Sequence, residues 1–93
     1  MKAKISEKDL HPHLKKRMQE RGITTEEIET ALNYGKNAKD ANPGTEGKTH
    51  VFTFNNDWEG EYFKEKEVTV YYKKVQKKII LLTALVRYGE DFQ

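Results

Sequence analysis

The sequence predicts an α+β fold in which two N-terminal helices pack on a three- to four-stranded antiparallel sheet. The first reason is a change of period: apolar residues recur at helical spacing up to Leu32 and at every second position beyond Thr49. The second is punctuation, because Asn37 to Lys48, with Asn42-Pro43-Gly44 and Gly47, is the one interruption between the two regimes. It is expected to be a connector. A chain of 93 residues without internal repeats is sized for one compact domain, read here as residues 1–93.

Leu10, Leu14 and Met18 fall at i, i+4 and i+8 and define one face of a first helix, placed at 12–21. Pro12 fits only its first turn, Ser6 to His11 forms a separate turn or frayed lead-in, and Gly22 ends it in the left-handed conformation. A second helix is expected at 25–34. Thr24 and Glu27 make a T-x-x-E capping box, Ile23 and Ile28 a hydrophobic staple, and Gly35 a C-terminal stop. Lys36 to Ala41 is a candidate edge strand. Thr49 to Phe54 reads as a strand with His50, Phe52 and Phe54 on one face, followed by turn residues Asn55-Asn56-Asp57. From Tyr62 to Lys73 the chain alternates, Val68, Val70 and Tyr72 against Glu67, Thr69 and Tyr71, as a half-solvated strand does. After a charged turn, Ile79 to Val86 is apolar on both faces except at Thr83, the pattern of a central strand covered on both sides.

Composition removes several classes of function. Lys and Arg number 17 against 15 Asp and Glu, a net charge of +2, so a basic surface must come from arrangement. The absence of Cys excludes disulfides, thiolate metal sites and a cysteine nucleophile, and a reducing compartment is the simplest setting. The run Ile79 to Leu82 is far short of a membrane span and Met1 to Lys4 leads into no secretory segment, so a soluble, cytoplasmic protein is expected. No phosphate-binding glycine loop, nucleophile elbow or paired-carboxylate signal stands out. His11 and His13 diverge by roughly 200° on a helix and no further ligands complete a set, so no metal and no cofactor are expected.

The segment His13 to Ile23 is the most informative. His13, Arg17 and Arg21 lie at i, i+4 and i+8, a second stripe beside Leu14 and Met18. Two guanidinium forks and an imidazole along one groove edge suit a phosphate and a proton transfer near neutral pH. The alternative is a solvated face with local pairs such as Arg17–Glu20 or Arg21–Glu26.

The pattern His13, Arg17, Met18, Arg21, Gly22 and Ile23, then Thr24-Thr25-Glu26-Glu27-Ile28 and Ala31-Leu32, resembles the small prokaryotic family known as domain of unknown function 4258. Its hallmark reads H-x-x-x-R-M-x-x-R-G-[IV]-[ST]-x-E-E-[IV], and every position agrees. That family looks like a relative of the BrnT and RelE/ParE toxins. The resemblance implies two helices on an antiparallel sheet, RNA as substrate and a cognate antitoxin as partner. Some members of that fold are ParE-like inhibitors of a DNA-processing protein, and a noncatalytic protein-binding module on the same fold is a further reading.

RNA cleavage without a metal needs a base, a cation facing the phosphorane and a proton donor for the leaving oxygen. The expected catalytic set is His13, Arg17, Arg87 and Tyr72, with His13, Arg17 and Arg87 meeting in one groove and Tyr72, with Lys73, assisting. Arg21, Lys73, His50 and Trp58 are candidates for RNA contact, with Trp58 a stacking surface. His50 beside Phe52 and Phe54 also fits a structural role, and Arg87 a plain strand end. The sequence assigns no oligomeric state.

Overall fold

The computed structural model describes residues 4–5 and 9–92. The expected lead-in at Ser6 to His11 lies partly outside the described residues. Helix α1 spans Pro12–Arg21 and α2 Thr25–Tyr34. Strands β1 (Lys36–Asn37), β2 (Glu46–Trp58), β3 (Glu61–Val75) and β4 (Lys78–Gly89) follow. They form an antiparallel meander in the order β1-β2-β3-β4. Both helices cover one face of it, α1 over β4 and α2 over β3 and β2. This is the α+β arrangement the change of period predicts.

Each helix starts and stops for a local reason. His11 is extended and its Nδ1 accepts the Leu14 N–H at 3.2 Å, with Pro12 in the first turn, where a missing N–H costs nothing. Gly22 closes α1 at φ 72° in a Schellman motif, the Ile23 N–H donating to the Met18 carbonyl at 2.8 Å. Both halves of the Thr24–Glu27 capping box are made. Gly35 ends α2, but in extended conformation at φ −74°. Its smallness is what matters, since a Cβ there would lie 2.4 Å from the Ala31 carbonyl and 2.8 Å from that of Thr49.

The core lies between helices and sheet. Leu14, Ile28, Val68 and Val70 are fully buried, each contributing about 1.5–3 kcal/mol by removal from water. The inward residues of β3 are Val68, Val70, Tyr72 and, at the same period, Lys66. That lysine is 3% exposed. Its Nζ donates to the Gly22 carbonyl and pairs with Glu27 Oε1 at 2.8 Å, with the Phe54 and Tyr88 rings each 5.6 Å away. The Tyr88 hydroxyl donates to the Arg21 carbonyl at 2.7 Å, and Trp58 stacks on the Tyr88 ring at 5.2 Å. Orphan carbonyls at the end of α1 thus find their donors on the sheet.

Two expectations about the sheet are corrected and a third is narrowed. Asn55 to Asp57 do not turn the chain; the register shifts between Thr53 and Asn56, Asn55 takes φ 44°, and β2 continues to Trp58. The turn is Glu59-Gly60, both at positive φ, between paired Trp58 and Glu61. The next hairpin turns at Gln76-Lys77, φ 49° and 69°, a left-handed pair built without glycine. Finally, β4 is an edge strand, not a central one. A meander leaves its last strand at the border, and two helices cover only one face, so Ile79, Ile80, Leu82 and Leu85 are exposed. The expected edge strand at Lys36 to Ala41 is present but contracts to Lys36–Asn37.

Three outcomes follow from this packing. Lys66→Ala, which strands the partly buried Glu27 carboxylate, is expected to lower unfolding free energy in urea by about 3–5 kcal/mol. Lys77→Gly, at a left-handed position, is expected to raise it by about 0.5–1 kcal/mol in the same measurement, because the strain of a Cβ disappears. The Tyr88 hydroxyl is pushed up to about 12, first by burial and then by the Glu27 and Glu59 carboxylates. Its folded value lies above the ordinary 10.0, so its contribution to stability is complete below that pH and is lost as pH rises toward 12. The phenolate absorbance difference between wild type and Tyr88→Phe should therefore titrate near 12; a midpoint at the ordinary value would contradict the placement of Tyr88.

Candidate functional site

The 3.6-residue period lays Leu14 and Met18 against the sheet and turns His13 and Arg17 outward, with Arg21 half-buried between. Because α1 rides on β4, this second stripe overhangs the sheet edge. A shallow groove of about 340 Å³ opens there, with His11, His13, Arg17 and Arg21 on the helix side and Leu82, Thr83 and Leu85 on the strand side. The Leu82 side of the groove exists because of a bulge: Tyr71 pairs with Thr83 and Tyr72 with Leu81, leaving Leu82 unmatched.

The charges in the groove are of one sign. Among the described residues its lining contains two guanidiniums and two imidazoles and no carboxylate. Arg21 is fixed, its Nη1 donating to the Ala84 carbonyl at 2.7 Å, which leaves the rest of its fork for other acceptors. The Arg17 side chain makes no hydrogen bond or ion pair with the described residues, and neither Arg17–Glu20 nor Arg21–Glu26 forms among them. His13 meets the His11 ring edge-on at 6.3 Å. An electropositive notch with one anchored and one unengaged guanidinium is suited to a phosphate-like anion. Among the described residues no three His, Cys, Asp or Glu side chains group as metal ligands.

The other candidates lie elsewhere, and the expected meeting of His13, Arg17 and Arg87 in one groove does not occur. Arg87 stands opposite Glu67 in register, on the sheet face away from the helices. Its Nε donates to Glu67 Oε1 at 2.8 Å, a bond that raises its pKa, and its guanidinium lies 4.6 Å over the Phe92 ring. It borders a separate cavity of about 510 Å³ with Thr69, Tyr71 and the Lys36–Asp40 segment. Tyr72 is buried on the helix side. Its hydroxyl donates to Glu46 Oε1 at 3.5 Å, and burial, followed by the Glu46 charge, pushes its pKa up. Lys73 is exposed near the far end of β3, opposite Ile80. His50 packs edge-on against Phe52 at 4.7 Å on β2. Trp58 spends its ring face on Tyr88 and covers Gly22, where an added Cβ would lie 2.7 Å from the indole.

Three participants escaped the sequence reading. Lys66 had a signal, a lysine at an inward position of an otherwise apolar period-2 run. Tyr88 had a weaker one, since it stands two residues beyond Val86 on the same strand face. His11 had none apart from preceding Pro12, and as N-cap it is both a helix starter and part of the groove.

The motif residues gain a common meaning from these positions. His13 and Arg17 face the groove, Arg21 binds the sheet and faces the groove, Gly22 admits Trp58, and Glu27 receives Lys66. No curated protein and no solved structure matches the chain. The family described as domain of unknown function (DUF4258) matches residues 10–86, most of the 93, so the chain belongs to that family.

Proposed function

We propose that this protein is a toxin-like RNA-binding domain, related to the BrnT and RelE-type toxins, that grips a phosphodiester in the α1–β4 groove and cleaves it without a metal. The observation that supports this most is the Arg17 side chain, without a partner among the described residues, beside Arg21 and His13 in a groove whose described lining includes no carboxylate. Arg17 and the open side of Arg21 hold the non-bridging oxygens and face the charge that grows in the phosphorane. His13 takes the proton of the ribose 2′-hydroxyl as the 2′-oxygen attacks phosphorus, then returns it to the 5′-oxygen as the P–O5′ bond breaks. The products are a 2′,3′-cyclic phosphate and a free 5′-hydroxyl. In this reading a cognate antitoxin keeps the activity in check in the cytoplasm.

A second reading, a noncatalytic binding module on the same scaffold, is favoured by the remoteness of Arg87 and the internal engagement of Tyr72. Turnover separates the two. With chelator present and short single-stranded RNA as substrate, His13→Ala is expected to lower cleavage by about 100-fold or more while retaining binding. Arg17→Ala should weaken binding about tenfold and reduce the slope of log affinity against log salt by about 0.7, the loss of one phosphate contact. Arg87→Ala should match wild type in both. Equal cleavage in all four proteins would discard the assignment, and salt-dependent binding without turnover would leave the second reading.

A further inference from the structure

β4 carries no described strand on its outer side, although Arg21 donates to its Ala84 carbonyl. Among the described residues it pairs only with β3, so its outer N–H and C=O groups have no strand partner. Proteins ordinarily blunt such an edge with charge or proline, yet Ile79 to Val86 contains neither. Four of these residues, Ile79, Ile80, Leu82 and Leu85, are 37–42% exposed. An edge that is apolar and unprotected is a template for strand addition.

The charge beside this edge selects what can be added. Arg17, Arg21 and His13 overhang Leu82 to Leu85, with no carboxylate among the described residues of the groove. A second copy pairing edge to edge about a two-fold axis would bring the same cationic stripe against itself, at a repulsive cost. A helix laid here would leave the β4 amides unsatisfied. An extended strand satisfies them, and its side chains alternate in direction. If every second residue is Asp or Glu, one row of carboxylates meets Arg17 and Arg21, while the intervening apolar residues lie against the exposed leucines of β4.

We propose that β4 accepts an extended, alternately acidic and apolar segment of a partner protein as a fifth strand, with its carboxylates seated in the α1–β4 groove. Such a strand occupies the same guanidiniums as the phosphodiester, so strand and RNA exclude one another. Docking itself is independent of the RNA reading, and only this exclusion rests on it.

The test uses a soluble, capped synthetic peptide of alternating glutamate and valine, its lysine-for-glutamate counterpart, and the whole chain. The glutamate peptide is expected to bind, to slow hydrogen exchange at the amides of Ile80 to Val86, and to weaken as salt rises. The lysine peptide, Arg17→Glu and the exposed-site variant Leu85→Lys should each bind at least about tenfold more weakly. Circular dichroism of both variants should match wild type. Equal binding of the two peptides, no binding of the glutamate peptide, binding without protection of β4, or a self-dimer abolished by Leu85→Lys would each overturn the proposal. Loss of RNA binding in the wild type with peptide docking intact would instead overturn the RNA reading alone. Peptide and RNA bound together would remove the exclusion.

Discussion

The ammonium of Lys66 holds the two halves of this molecule in register. It is placed inside the apolar layer, where an unpaired charge would be untenable, and its position is therefore fixed by the groups that satisfy it. Those groups are the Gly22 carbonyl at the end of α1 and the Glu27 carboxylate in the first turn of α2. One side chain of β3 thereby ties down both helices and the turn between them. Glu27 Oε1 serves twice, accepting also the Thr24 N–H at 2.9 Å, so helix initiation and helix docking share an oxygen. The aromatic rings around Lys66 exclude water and strengthen these contacts. Together with the Arg21–Ala84 and Tyr88–Arg21 hydrogen bonds, this clamp sets the height of α1 over β4 and so the depth of the groove.

The helices were largely legible because their signals are local. Capping box, staple and glycine stop act within a few residues, and the bounds 12–21 and 25–34 agree with the structure. The alternating faces of β3 were legible for the same reason. Properties set by the whole sheet were not. Whether Ile79 to Val86 is central or peripheral depends on strand order and on how many layers cover it, and an apolar run is compatible with both. The turn at Gln76-Lys77 was placed within a charged stretch but carries none of the residues that favour left-handed geometry, while Asn55-Asn56-Asp57 carries them and bulges instead. Of the candidate site, His13, Arg17 and Arg21 came from one helix and one period, and they do share a groove. Arg87 and Tyr72 had to be joined to them across the sheet, which needs the direction of each strand residue relative to α1.

The two faces of the sheet divide polar labour accordingly. On the helix side, polar groups are few and internally engaged. On the other side, Thr49 and Thr69 share a hydrogen bond at 2.9 Å, Tyr71 donates to Asp40 and Arg87 to Glu67, so that face is polar but mutually neutralised. The α1–β4 border differs from both, because positive charge is concentrated there and no described residue of the groove carries a carboxylate. A chain with a net charge of only +2 thus presents a local cationic field through placement, with no carboxylate among the described residues that line the groove.

The indole of Trp58 is the single tryptophan of the chain, and it lies flat on Tyr88 against the Gly22 turn. Its emission colour and quenching therefore sense whether the tip of the long hairpin is seated on the helical pair. Loosening at that seam would redden the spectrum even while distant strands stay paired, so the fold carries its own optical gauge of local opening, separate from the cooperative melting of the whole.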